Sequence, residues 1–245
     1  MIDIVQNPGS TPLIRSSVSD FCGSMGYCEL RIIYHLKGIR PPQTKMTIEG
    51  TKMHEIEELY EKEHFKIETV TQEALLDLTK DVEFVREGIF TRFERKLIFG
   101  QDTTGLLLYG RADKVQRNKG TLIIEDSKFP EFKEKYLEKF EPFEDQILQA
   151  LIYLNSKFSE NVSFQKECFE IVCDKKAWII RIKDKKTMQS IKIFQGYQNQ
   201  EAEEFLNKKI ETFAKIVLGK LSPTHHGNKK KCARCRFNEC EYKIN

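Results

Sequence analysis

Residues 17–37 carry the first helical pattern of the chain. Tyr27, Leu30, Ile33 or Tyr34, and Leu36 give an approximate apolar face, and Ser17 or Ser19 supplies an N-cap. Pro41 and Pro42 then break the pattern. A second helix is predicted over 48–64, with Met53, Ile56, Leu59 and Tyr60 on one side and acidic residues on the other, and a shorter one near 71–79. After that the pattern changes. Residues 90–99, 105–116 and 120–129 are short, apolar-rich and punctuated by glycine, which predicts three strands, with Asn118–Lys119–Gly120 as the turn between the last two. A long helix fits 141–158, carrying Phe143, Ile147, Ala150, Leu151 and Leu154. Two more strands, near 166–173 and 176–183, flank a turn at Asp174–Lys175, and a charged helix at about 187–218 leads into a cysteine-rich tail.

This order of elements predicts an α/β (α+β) fold with a mixed central sheet flanked by helices. No internal repeat, low-complexity linker or clean boundary divides it, so 1–245 reads as a single domain. No apolar run approaches the roughly 20 residues that span a bilayer, and the first residues lack the basic flank and apolar stretch of a signal peptide. The default expectation is an intracellular, cytoplasmic protein.

Charge adds little. The formal net charge is only +3. Lys229, Lys230, Lys231, Arg234 and Arg236 crowd one end, and Arg31, Lys37 and Arg40 follow an early cysteine. Such clusters could meet phosphates, although a solvated lysine run is equally ordinary.

The candidate chemistry lies in the consecutive strands. Asp113 closes Gly110-Arg111-Ala112-Asp113, and Asp126-Ser127-Lys128 follows the apolar Leu122-Ile123-Ile124. Side chains alternate along a strand, so Asp126 and Lys128 share one face while Glu125 and Ser127 take the other, toward a helix or solvent for Glu125. A hairpin around Asn118–Gly120 would bring Asp113 near Asp126. Two carboxylates so close repel each other unless a cation lies between them, and such hard oxygen ligands suit Mg²⁺ or Mn²⁺. Lys128 beside them could stabilise charge on a phosphate. By itself a D-x-K on a strand edge is usually an exposed ion pair. Its company matters more: Gly50-Thr51-Lys52-Met53-His54 on the second helix, and Gln149 and Tyr153 one turn apart on the long helix.

The seven cysteines of an intracellular chain do not suggest a disulfide framework. Cys232, Cys235 and Cys240 form C-x₂-C-x₄-C, three thiolate ligands for zinc or an iron–sulfur centre. Cys28 is the first choice as fourth ligand and Cys22 the second, while His225 and His226 could complete a zinc site instead. Cys168 and Cys173 read as small apolar residues of the strand pair.

Taken together, G-x-x-x-H, G-R-x-D, D-x-K and Q-x-x-x-Y, at Gly50–His54, Gly110–Asp113, Asp126–Lys128 and Gln149–Tyr153, resemble the motif series of RecB-like nucleases in the PD-(D/E)xK superfamily. The resemblance implies that His54, Asp113, Asp126 and the main-chain carbonyl of Ser127 bind the catalytic metal. Lys128 would be the catalytic lysine, with Gln149 and Tyr153 positioning the DNA strand or supporting the site, and Glu94 as an extra acidic contributor. The lone Cys28 in Y-C-x-x-R and the tail C-x₂-C-x₄-C resemble the iron–sulfur members, closest to the exonucleases of CRISPR adaptation. Glu29 stands where many of them have proline.

The implied layout is a catalytic core over 48–183, with 17–47 and 184–245 forming a helical cap and 4Fe-4S region. The cluster would tie the first helix to the tail and hold the cap over the cleft. The implied activity is 5′→3′ exonuclease action on single-stranded DNA, with endonuclease activity as a further capacity, trimming ends for CRISPR integration proteins. The alternatives are a nuclease-fold DNA-binding module of an integration complex, a zinc-ribbon-like nucleic-acid-binding protein, and a viral or plasmid recombination nuclease of the same chemistry. Polarity, strand preference and oligomeric state have no sequence signature here.

Overall fold

A computed structural model describes residues 1–6, 10–64, 84–118, 120–159, 168–237 and 240–244. Its elements in chain order are β1 (Asp3–Val5), β2 (Leu13–Ser17), α1 (Val18–Met25), α2 (Arg31–Leu36), α3 (Lys45–His64), β3 (Phe84–Phe99), β4 (Asp102–Asn118), β5 (Thr121–Lys128) and α4 (Glu134–Leu137). They continue with α5 (Glu144–Leu154), β6 (Lys157–Ser159), β7 (Lys175–Lys183), β8 (Ser190–Tyr197), α6 (Gln200–Val217) and α7 (Lys229–Ala233). The fold is the expected mixed α/β arrangement, with helices flanking a central sheet in the strand order β1-β2-β4-β5-β7-β8, and with β3 pairing both β4 and β6.

β4 organises the sheet. Along one edge it runs antiparallel to β3 over nearly its whole length. Its other edge is shared. β2 pairs parallel with Gly105–Tyr109, and β5 pairs antiparallel with Lys114–Asn118. Between these two ladders, Gly110 to Asp113 have no partner strand on that edge among the described residues, and the sheet forks. β5 continues past its last β4 pair, Glu125↔Lys114, on the support of β7 alone, with Asp126, Ser127 and Lys128 opposite Ile180, Arg181 and Ile182. The fork therefore separates the strand bearing Asp113 from the strand bearing Asp126 and Lys128.

A core of Ile14, Phe21, Phe93, Leu106, Leu108, Ile124, Leu148, Ile152, Leu206 and Phe213 joins the sheet to α1, α5 and α6. Phe21 and Phe213 meet edge to face at 4.9 Å between centroids. The α1–α5 contact is tight. A Cβ on Gly26 would lie 2.5 Å from the Asp145 nitrogen, so only glycine fits at the end of α1.

Several expected elements differ in extent. The helix over 17–37 is two helices. Ser17 caps α1 as expected, accepting the Asp20 N–H at 3.0 Å, but α1 stops at Gly26 and a turn presenting Cys28 precedes α2. The expected helix over 141–158 runs Glu144–Leu154, because Pro142 and the extended Phe143 delay its start and Lys157–Ser159 pairs with β3. The charged helix over 187–218 is a correction of type: Ser190–Tyr197 alternates and pairs with β7, and the helix begins only after Asn199, whose side chain accepts the Ala202 N–H. Within the described part of 166–173 there is no strand, only a bridge from Phe169 to Phe158, and Cys168 and Cys173 are half-buried. The helix near 71–79 lies outside the described residues. β1 and β2 were not expected, being too short for their alternation to register.

Candidate active site

The fork, α3 and α5 converge on the acids. Asp126 is 2% exposed, and both of its carboxylate oxygens are buried. The Lys128 ammonium forms an ion pair with its Oδ2 at 2.7 Å. Asp113 faces it from β4, and the Ser127 backbone N–H donates to Asp113 Oδ2 at 3.1 Å. From α3, His54 Nδ1 lies 3.4 Å from that same oxygen, and the His54 ring packs edge-on against Phe129. A cavity of about 220 Å³, lined by His54, Glu57, Gly88, Arg111, Asp113 and Ser127, opens onto this group.

The electrostatics follow from crowding. Burial, and then the Asp126 charge, push the Asp113 carboxyl well above the usual carboxylate range. Burial and then the Lys128 cation lower the His54 pKa, which favours the neutral imidazole that ligates metals. Burial acts to lower the Lys128 pKa, but the attraction of Asp126 and Asp113 outweighs it and raises the pKa, so the ammonium persists. A buried carboxylate paired with Lys128, a crowded second one and a neutral imidazole are the donor types a divalent cation takes, although their ligand atoms do not all come within 4.8 Å of one another among the described residues.

Lys128 is also held from α5. Its Nζ donates to Gln149 Oε1 at 3.2 Å, and Gln149 Nε2 donates to the Tyr153 hydroxyl at 3.2 Å. Tyr153 is 2% exposed and lies under Gly110, where an added Cβ would sit 3.0 Å from its ring and hydroxyl. This arrangement ties the Q-x-x-x-Y pair to Lys128 and to the β4 backbone.

Two expected roles are not seen. Glu94 is exposed and pairs with Arg92 at 2.6 Å, away from the acids, opposite Leu107 in the ladder. Glu125 does face away from Asp126, but it is buried among cations rather than turned to helix or solvent: Arg181 Nε is 2.6 Å away and Lys114 Nζ 3.8 Å. Sequence reasoning missed Glu57 and Lys183. Glu57, one turn after His54, accepts the Ser127 hydroxyl at 2.8 Å and forms a buried ion pair with Lys183. The i, i+3 spacing from His54 was the available signal for Glu57.

The tail packs against the turn after α1 and against α2. The Tyr27 hydroxyl donates to Lys231 O at 2.5 Å, and Lys231 Nζ returns a bond to Tyr27 O at 3.4 Å. Tyr34 stacks on Phe237 at 5.0 Å, and Glu29 accepts both the N–H and the hydroxyl of Thr224. Arg31 is not a free phosphate contact. It donates to Gly23 O at 3.0 Å and lies against the Tyr27 and Phe237 rings.

Cys28 and Cys232 are buried, while Cys235 and Cys240 are half-buried. Burial raises the Cys28 thiol pKa, with smaller contributions from nearby Cys235 and Cys240. Cys22 belongs elsewhere: it is buried in α1, where the charges that reach it are Asp145, Lys128 and Asp126. The tightest group of potential ligand atoms among the described residues is Cys28, His225 and His226, all within 4.8 Å of one another, with His225 Nε2 3.2 Å from Cys232 Sγ.

Residues 35–240 match the family described as the PD-(D/E)XK nuclease superfamily. No curated protein matches the chain significantly. Among solved structures, the crystal structure of the protein SSO0001 is similar at 15% identity and a TM-score of 0.50, over 94% of this chain and 88% of that one, a likeness of fold. A provisionally named exonuclease from Eubacterium rectale aligns at 16% identity and a TM-score of 0.47, over 94% and 90% of the two chains.

Proposed function

Because the chain belongs to the PD-(D/E)XK nuclease superfamily, we propose that it is a deoxyribonuclease whose His54, Asp113, Asp126 and Ser127 main-chain carbonyl hold Mg²⁺ or Mn²⁺ beside Lys128. The observation that carries this reading is the Asp126 carboxylate, buried beside Asp113 and paired with the Lys128 ammonium. When bound, the ion supplies Lewis-acid polarisation of the phosphate and makes water more acidic. The chain's own residues do the rest. Lys128 keeps its proton and, fixed between Asp126 and Gln149, offers a cation to charge developing on the phosphoryl oxygens. The Ser127 N–H and its neighbours hold Asp113 across the fork. Hydrolysis breaks one P–O bond and leaves a phosphate on one fragment and a hydroxyl on the other.

The finer reading is a 5′→3′ exonuclease on single-stranded DNA, with endonuclease capacity, trimming ends for CRISPR spacer integration. Its support is the sequence resemblance of the four motifs and of the cysteine pattern. The test is cleavage of 5′- and 3′-labelled single- and double-stranded DNA with Mg²⁺, Mn²⁺ or EDTA. Metal-dependent cutting that is lost in Asp126→Ala and Lys128→Ala supports the assignment, and the label pattern gives polarity. DNA bound by wild type but never cut would move the reading to a binding module, and full activity in either variant would sink it. Neighbouring adaptation genes test the biological setting.

For the tail, the same reading takes Cys28, Cys232, Cys235 and Cys240 as ligands of a 4Fe-4S cluster with a structural role. Its support is the spacing C-x₂-C-x₄-C at Cys232, Cys235 and Cys240 together with the packing of Tyr27, beside Cys28, on Lys231 of the tail. A second reading is favoured by the histidines: with ligand atoms about 2.0–2.3 Å from one ion, Cys28, Cys232, His225 and His226 could hold zinc. Anaerobic purification separates the two. Iron with acid-labile sulfide, retained in His225→Ala and lost in Cys240→Ser, supports the cluster. Stoichiometric zinc lost in His225→Ala supports the Cys/His site.

A further inference from the structure

Helix α3 carries His54 but leaves Ile48, Ile56 and Leu59 46%, 50% and 60% exposed, so these apolar residues do not dock it on the sheet. Polar contacts reach from α3 to the sheet. Glu49 lies 3.4 Å from Lys185, just past the end of β7, and His54 Nδ1 lies 3.4 Å from Asp113 Oδ2 on β4. The deepest contact is that of Glu57, which is buried, pairs with Lys183 at the end of β7 and accepts the Ser127 hydroxyl of β5 at 2.8 Å.

Glu57 therefore stands behind two of the residues assigned to the metal. Its Oε1 takes both the Lys183 ammonium and the Ser127 hydroxyl, and its Oε2 lies 3.9 Å from His54 Nδ1, three residues earlier on the same helix. Ser127 lies between Asp126 and Lys128, on the stretch of β5 that β4 has ceased to support. It is fixed from two sides, by its N–H to Asp113 and by its hydroxyl to Glu57. A buried carboxylate needs a partner for its charge, and Lys183 supplies one, which keeps Glu57 ionised as an acceptor at that point.

We propose that Glu57 is a positioning residue for the metal site. It fastens Ser127 of β5 and, through α3, His54 at the separations from Asp113 that a divalent cation requires. The proposal rests on the nuclease reading. The groups behind metal ligands set the orientation of those ligands, and loss of one typically costs about 10–100-fold in metal affinity or activity.

The experiment measures Mn²⁺ binding in the absence of DNA by electron paramagnetic resonance, counting the ion that Asp126→Ala loses. Ser127→Ala removes the hydroxyl that Glu57 holds and keeps the main-chain carbonyl. It should weaken Mn²⁺ binding about tenfold or more. Two double variants have neutral side chains of similar size at both positions. Glu57→Gln/Lys183→Met keeps an oxygen acceptor for Ser127 and should stay within about threefold of wild type, whereas Glu57→Met/Lys183→Met lacks the acceptor and should lose about tenfold or more. Thermal unfolding of the metal-free proteins is followed alongside, since a purely structural pair would move Tm and leave the two double variants with equal Mn²⁺ affinity. If Glu57→Met/Lys183→Met fails to fold, Ser127→Ala against wild type decides. Equal Mn²⁺ affinity in wild type and the folded variants, with wild type cutting DNA in Mn²⁺, overturns the positioning role and leaves the nuclease reading intact. Wild type that neither binds Mn²⁺ nor cuts DNA overturns both.

Discussion

Ser127 donates its backbone N–H to Asp113 Oδ2 at 3.1 Å, across the gap where β4 and β5 have ceased to pair. A ladder hydrogen bond is replaced there by a bond to a carboxylate, and that exchange holds the two acidic strands at a fixed separation. The same carboxyl is crowded by Asp126 and retains its proton above the ordinary range.

This gives a pH prediction. A carboxyl whose pKa is raised on folding binds more protons in the native state, so without metal it contributes stability at low pH. That contribution is lost as pH rises from the unfolded value near 4 through the raised native value. The metal-free protein should therefore lose thermal stability over that window, and Asp113→Asn should flatten the loss. Mn²⁺ should raise Tm more at pH 8 than at pH 5. A metal-free protein whose Tm in calorimetry does not fall with rising pH would contradict this.

Gln149 touches Lys128 rather than the acids, so it should act as a positioning residue. Gln149→Ala is expected to lower kcat by roughly ten- to a hundredfold with KM little changed, since small misplacements of a catalytic group cost that much. Gln149→Glu, which keeps an oxygen acceptor at that position, should restore part of the rate. Steady-state kinetics on a labelled strand would show a KM effect instead if Gln149 served only to bind substrate.

The Glu57–Lys183 pair, with 8% and 9% of the residues exposed, lies under Ser127. Removing one member strands the other charge. Lys183→Met should cost about 3 kcal/mol or more, and the double change Glu57→Gln/Lys183→Met distinctly less. Urea denaturation of the four proteins of that cycle measures the coupling. Additive losses would mean that the two charges do not depend on each other.

At Gly26, an added Cβ would stand 2.5 Å from the Asp145 nitrogen and 2.6 Å from its Cα, both backbone atoms that cannot swing aside. Gly26→Ala should destabilise the protein by about 1–3 kcal/mol as α1 and α5 are forced apart. A chemical denaturation midpoint unchanged from wild type would contradict that close approach.

The sequence was most readable in the spacing of its four short motifs. Strand alternation correctly separated Asp126 and Lys128 from Glu125, and the paired motifs led to His54, Gln149 and Tyr153, all of which meet around the fork. What could not be read was long-range. Beyond its i, i+3 spacing from His54, nothing local distinguishes Glu57 from the other acids of α3, because its partner Lys183 arrives 126 residues later. Arg31 looked like a free cation because its aromatic neighbour Phe237 is remote in the chain. Residues 190–197 were taken for helix because charge ran on into α6, although their pairing with β7 makes them a strand.

The contact between Tyr27 and Lys231 spans 204 positions. At a synthesis rate of about 5–20 residues per second, the turn holding Cys28 waits roughly 10–40 s on the ribosome before the segment that covers it has been made. During that interval α1 can dock on the early strands, but the Cys28 thiol remains accessible to solvent or to a carrier. Any ion shared between Cys28 and the tail can then be held by both only after the tail has been made, as a late step with its own dependence on metal supply.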